Sequence, residues 1–154
     1  MQGQLDGELN DFGRQQATKV ADRLSKEPKI AAVYTSDLKR ALETAKTIAS
    51  ICCGGLEVVQ DMDLRERHLG DLQGLELRKS AKVKPEAYQA FVSRRRDQDI
   101  PGGGESIDRL YERCTSALER IGQKHIGERV VVVTHGGVLR ALHAKGKTSQ
   151  DPEC

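Results

Sequence analysis

A chain of 154 residues with 37% apolar content is one domain's worth of sequence with enough material for a modest core. A formal net charge of +2, two Phe, three Tyr and no Trp argue against a nucleic-acid binder, which needs a basic face and stacking rings. No apolar run reaches membrane-spanning length and none has the form of a secretory signal core, so no membrane association is expected.

The pattern alternates helix and strand. Asn10 is a good N-cap for a helix in which Ala17, Val20, Ala21 and Leu24 recur at helical spacing before Pro28. Ile30 to Tyr34 reads as a short buried strand. A helix follows, capped by Ser36 or Asp37, with a stripe of Leu38, Ala41, Leu42, Ala45, Ile48 and Ala49. "GLEVVQDMDL" reads as a second strand, and a less regular middle comes after it. "KPEAYQAFVSRRR" is expected to be helical with Pro85 near its first turn. "DIPGGGES" reads as a flexible loop. From Ser106, the positions Ile107, Leu110, Tyr111, Cys114, Leu118 and Ile121 mark a long amphipathic helix. Val130 to Val133 form a strand, expected to be central in its sheet. Such alternation predicts an α/β fold, a mostly parallel sheet with helices on both faces, as a single domain over 1–154.

Cys52, Cys53, Cys114 and Cys154 form no CxxC pair and no ligand spacing with histidine. Reduced thiols in the cytoplasm are the simplest reading, and a bridge between the adjacent Cys52 and Cys53 would be strained. His125 and His143 lack ligand-spaced partners, so no metal site is expected.

In open parallel sheets, ligands sit where strand C-termini lead into helices. Three places put reactive side chains there. Arg40, in the first turn after "YTSD", can join a helix N-terminus in holding phosphate, or be a solvated surface arginine. Glu66, in "LRERHLGDLQG", is a candidate general acid. Burial would favour its protonated form and the neighbouring arginines its charged form; a loop salt bridge is the alternative. His135, in "VVVVTHGG", follows the valine strand, and Gly136 and Gly137 let backbone N–H groups approach a ligand. A protonated imidazole there would stabilise a transferring phosphoryl group, whereas a satisfied core histidine is the bland reading. The run "SRRRD" reads as a solvated helix face or as a lid drawing in anions.

Taken in order, "QGQLDGELNDFGRQQA", "VYTSDLKRALETA", "LRERHLGDLQG", "PGGGES" and "VVVVTHGG" resemble the phosphoglycerate mutase-like branch of the histidine phosphatase superfamily over nearly the whole chain. The resemblance implies a three-layer α/β domain that transfers a phosphoryl group onto a histidine and then to water or another oxygen. It implies a phosphorylated small-molecule substrate and no metal or organic cofactor. Arg40 resembles the family's phosphate-binding arginine, Glu66 its general acid and His135 its second pocket histidine. Gln2, Gly3 and Gly136 fall where relatives contact substrate. The short interval from Glu66 to His135 favours a phosphatase over a mutase.

One departure matters. The family's nucleophile lies in an Arg-His-Gly at the end of a first strand, and no Arg-His-Gly occurs in these 154 residues. Strands expected after the last helix are absent too. A truncated gene model, a splice form or a fragment is expected, with the valine strand's edge left open for pairing and homodimerisation. The chain is expected to be impaired as an enzyme. The alternative is a catalytically inactive phosphate-binding or regulatory protein.

Overall fold

The first helix, α1 (Asp11–Leu24), starts where its cap residue dictates: the Asn10 side chain accepts from Gly13 N at 2.8 Å. Ala17 and Ala21 are its buried line, while Val20 is 48% exposed, so one of the four predicted apolar positions faces water. The protein is described by a computed structural model at residues 1–52 and 54–146. Cys53 and Cys154 lie outside the described residues. The described chain divides into two compact units. We call them the sheet unit (Asp6–Arg65 and Ser116–Thr134) and the loop unit (Met1–Leu5, Glu66–Thr115 and the segment from His135 onward).

In the sheet unit, three parallel strands run in the order β2-β1-β3: β1 (Ala32–Thr35), β2 (Val58–Gln60) and β3 (Val130–Val133). β1 starts two residues later than its apolar run suggests, because Ile30 and Ala31 precede the strand proper. Val33 pairs with both Val58 and Val131. Among the described strands β1 is central and β3 is an edge, the open edge expected for the valine strand, although an all-valine strand is ordinarily central. Hydrogen-bonded on both sides, β1 buries Val33, Tyr34 and Thr35, whereas all four valines of β3 stay half-buried.

Strand alternation sends Val33, Val58, Val131 and Val133 to one face, against Ala45 and Ala49 of α2 (Lys39–Cys52) and Leu24 of α1. The opposite face carries Ala32, Tyr34, Val130 and Val132 against Ala117, Leu118 and Ile121 of α5 (Ile107–Lys124). Helix, sheet and helix thus form the three predicted layers. α2 begins after its expected caps. Leu38 N donates to Ser36 Oγ at 3.3 Å and Lys39 N to Asp6 Oδ1 at 2.7 Å, so the predicted Ser36 shares the capping with Asp6, while Asp37 is engaged by the Arg65 fork. A sequence-local search for caps misses a partner as distant as Asp6.

The loop unit holds α3 (Leu77–Val83), α4 (Pro85–Val92), residues 107–115 of α5 and α6 (Gly136–Gly146). α3 had no periodic signal: it buries only Ser80 and exposes Leu77 and Val83. Pro85 takes the first position of α4 as predicted. The arginine run is not a helix face, because α4 ends at Val92 and Ser93 turns extended. Ser93 Oγ then accepts from Arg95 N, Arg95 pairs with Asp97 and Arg96 pairs with Asp108. Two apolar clusters support the unit, one around Leu69, Leu72, Ala87 and Ile100 and one around Leu110, Cys114, Val138 and Ala141. Among the described residues, no helix is long and apolar enough to cross a membrane.

Candidate active site

The loop unit is organised around a seam between residues 66–71 and the glycine-rich segment 101–105. Glu105 N donates to His68 O at 2.8 Å, and Asp71 N donates to Pro101 O at 2.8 Å. The Glu105 carboxylate accepts from His68 N at 2.8 Å, and Arg67 Nε donates to the Glu105 carbonyl at 2.8 Å. This corrects the reading of "DIPGGGES" as a flexible loop. Two of its glycines, Gly102 and Gly104, are there for close approach: a Cβ on Gly104 would lie 2.7 Å from Ile100 Cβ and 2.9 Å from Gly70 N.

Largely buried at the seam is an ion pair. Arg113, on α5, meets Glu105 with Nε–Oε1 at 2.6 Å and Nη2–Oε2 at 2.9 Å, a fork-on-carboxylate geometry. Burial by itself would raise the Glu105 carboxyl above the ordinary range. The hydrogen bonds from Arg113 and His68 N and the charges of Arg113 and Arg109 outweigh it and hold the group below that range. Burial lowers the Arg67 guanidinium despite Glu105, Asp99 and Glu66 nearby, and its side chain lies over the Phe91 ring at 5.9 Å.

This seam presents Glu66. The Glu66 carbonyl accepts from Arg113 Nη2 and from Gln4 Nε2, each at 3.0 Å. Its carboxylate takes two backbone donors, Arg67 N at 2.8 Å and Gly137 N at 3.0 Å. The carboxylate is thus held at the N-terminus of α6, where the helix dipole favours negative charge. It makes no ion pair among the described residues, so the loop salt bridge weighed for it is not formed there. His135, 8% exposed, lies immediately before α6 and its carbonyl accepts from Leu139 N. Gly136 is exposed at the first helical position.

The other predicted residues fall as follows. Gly3 is buried at φ +54°, and a Cβ there would meet Gln73 Oε1 at 2.6 Å. That same oxygen accepts from Gln4 N at 2.7 Å, tying residues 1–5 into the loop unit. Gln2 is exposed, its carbonyl closing a turn to Leu5 N. Arg40 is half-buried, the second residue of α2 in the sheet unit, and its carbonyl accepts from Thr44 Oγ1. The structure therefore brings Glu66 together with the segment that follows His135, and joins Gly3 to them through Gln4 and Gln73. Gln4, Glu105 and Arg113 were not singled out as site residues in the sequence, and of these only Glu105 had a signal, its place in "PGGGES". Gly137 had one too, as a glycine that frees its N–H for close approach, and that N–H meets the Glu66 carboxylate.

Gly137 also has a steric duty. A Cβ there would sit 2.0 Å from Glu66 Oε1, whereas one on Gly136 meets nothing nearer than Arg140 Nη2 at 3.8 Å. Gly137→Ala must push the Glu66 carboxylate off α6; Gly136→Ala leaves it alone. Both gain helix propensity, so their difference in stability isolates the displaced contact, at about 1–2 kcal/mol by urea denaturation. Equal stabilities would mean that the contact is absent in solution.

The comparisons agree with this architecture. The chain is 36% identical to a mycobacterial glucosyl-3-phosphoglycerate phosphatase solved with inorganic phosphate, with a TM-score of 0.78, covering 94% of this chain and 72% of that one. An α/β protein of the phosphoglycerate mutase-like kind is thereby defined. The model of the histidine phosphatase superfamily (branch 1) matches residues 1–151, and the chain belongs to that family. It is 66% identical over 149 residues to Phosphoglycerate mutase-like protein 4 of Arabidopsis thaliana, covering 97% of this chain and 64% of the relative. Over 146 residues it is 54% identical to the Metal-independent phosphoserine phosphatase of the same plant, covering 94% and 60%. The chain thus spans less than two thirds of the length of these curated relatives.

Proposed function

We propose that this chain carries the phosphate-binding and proton-donating parts of a phosphomonoester phosphatase of the histidine phosphatase type. The observation that carries the reading is Glu66, held by two backbone N–H groups at the start of the helix after His135. A carboxyl group fixed in direction by its neighbours' amides is oriented for proton exchange with a bound phosphate ester, whose negative charge favours the protonated form. Chain order supports the rest: Arg40 follows β1, Glu66 follows β2 and His135 follows β3, each beyond the C-terminal end of a parallel strand. In this reading the Arg40 fork binds phosphoryl oxygens, His135 donates to the transferring group and Glu66 protonates the leaving oxygen. Gln2, Gly3 and Gly136 contact the rest of the substrate. The substrate is a small phosphorylated molecule rather than nucleic acid, the compartment is the cytoplasm, and the short interval from Glu66 to His135 favours a phosphatase over a mutase.

Transfer onto a histidine requires a positioned nucleophile. These 154 residues contain no Arg-His-Gly, and we propose that on their own they bind phosphate without forming a phosphoenzyme, behaving as an anion-binding protein. Two measurements test this. Titration with inorganic phosphate is expected to show binding that Arg40→Ala weakens by at least about tenfold, the loss of one charge-assisted fork. Incubation with a radiolabelled phosphomonoester is expected to leave no acid-labile label on the protein. Absence of phosphate binding at millimolar concentration sinks the reading, and a phosphohistidine sinks its second half.

A further inference from the structure

We propose that Glu105, Arg113 and Gln4 are positioning residues for Glu66, a role that rests on reading Glu66 as the acid. The grip is on the main chain at the residue and just after it. Arg113 Nη2 and Gln4 Nε2 both donate to the Glu66 carbonyl at 3.0 Å. Two residues on, His68 is clamped in both directions by Glu105, its N–H bonded to the carboxylate and its carbonyl to Glu105 N, each at 2.8 Å. Arg67, between them, donates its Nε to the Glu105 carbonyl at 2.8 Å. Glu66 and His68 are therefore held by one largely buried carboxylate–guanidinium pair, whose side chains are 13% and 18% exposed, and Arg67 by the Glu105 main chain.

The geometry explains why a pair is used rather than a single bond. Arg113 bridges Glu105 and Glu66 with the same guanidinium, Nη2 donating to both the Glu105 carboxylate and the Glu66 carbonyl. A planar guanidinium pinned by the Glu105 carboxylate has lost its rotamer freedom, so its remaining reach toward Glu66 is fixed in direction. The Glu66 side chain then starts from a fixed peptide and ends on two amides, Arg67 N and Gly137 N. Lysine could supply the charge of Arg113 but not both contacts. Glutamine could supply the shape of Glu105 but not the charge that holds the fork.

Gly137 provides a local reporter that needs neither phosphate nor turnover. It is the second residue of α6, so its amide has no acceptor within the helix and its observed bond goes to the Glu66 carboxylate. Amide hydrogen exchange at Gly137, followed by NMR on the whole chain, therefore reads whether the carboxylate is in place. Protection in the parent protein is expected to fall by about tenfold in Glu66→Ala, which calibrates the reporter. Glu105→Gln and Arg113→Ala are expected to lose the same protection, with Arg113→Lys restoring little of it. Leu139 N, bonded to the His135 carbonyl one turn on, is expected to keep its protection. Gln4→Ala, which removes one of the two donors to Glu66 and leaves the ion pair intact, is the milder variant if the others fail to fold, and is expected to give a smaller loss. Unchanged Gly137 protection in Gln4→Ala or in folded Glu105→Gln overturns the proposal, as does loss of protection shared equally by Leu139. Because no ligand is added, either result stands whether or not the chain binds phosphate.

Discussion

Gly70→Ala is expected to destabilise the protein by about 3–5 kcal/mol, among the largest losses available to a single methyl group here. Two costs combine. Gly70 has φ +52°, in the left-handed region, where a side chain costs about 1–2 kcal/mol. A Cβ would also stand 2.1 Å from Pro101 O and 3.0 Å from Gly104 N, both main-chain atoms of the opposing loop. Neither can rotate away, so the two loops must separate, stretching the Asp71 N–Pro101 O and Glu105 N–His68 O bonds. Gly103 separates the two costs: it has φ +77°, but a Cβ there would meet no atom within 4 Å, so Gly103→Ala bears only the backbone cost. Urea unfolding of both variants measures the difference. Equal losses would show that the seam is not closed as described.

Glu105→Gln is expected to cost about 3 kcal/mol at neutral pH, because it leaves Arg113 charged, mostly buried and without its counterion. The pH dependence fixes the cause. Glu105 titrates below the ordinary glutamate value of 4.5 in the folded protein. A carboxyl with a depressed folded value stabilises the fold above its unfolded value and loses that contribution as pH falls through the folded one. The gap between parent and Glu105→Gln should therefore be constant near neutrality. It should shrink below about pH 4.5 as the parent takes up the proton that the variant never carries. Denaturation midpoints at a series of pH values give the curve. A gap that holds unchanged at the acid end would assign the loss to packing instead of charge.

Periodicity made the larger elements legible. Asn10 as a cap, the Ala41, Ala45, Ile48 and Ala49 stripe of α2, the Leu110, Cys114 and Ile121 line of α5 and the valine strand are local signals, and they stand where the pattern puts them. Pairing across distance was not legible. Nothing near residue 39 in the sequence announces Asp6 as a cap, and nothing near Glu66 announces Gln4 or Arg113 as donors to its carbonyl. α3 had no apolar period to read. "PGGGES" looked loose because glycine signals both slack and close approach, and only the opposing chain decides between them. For the site, residue types at strand ends pointed to Arg40, Glu66 and His135. The paired glycines after His135 signalled an approaching N–H, but that the Gly137 amide meets the Glu66 carboxylate comes from three dimensions alone.

The chain passes between the two units at Leu5, Arg65, Thr115 and Thr134. Neither unit is a continuous stretch of polypeptide, so neither can be cut out and expressed alone. On a ribosome Leu110 and Cys114 of α5 emerge before Val138 and Ala141 of α6, with which they form one apolar cluster. Early translation products therefore hold an apolar set awaiting its complement, and long loops must close before the contacts that stabilise them exist. That part of the loop unit's core closes only once the last helix is made, and until then its apolar residues are open to chaperones.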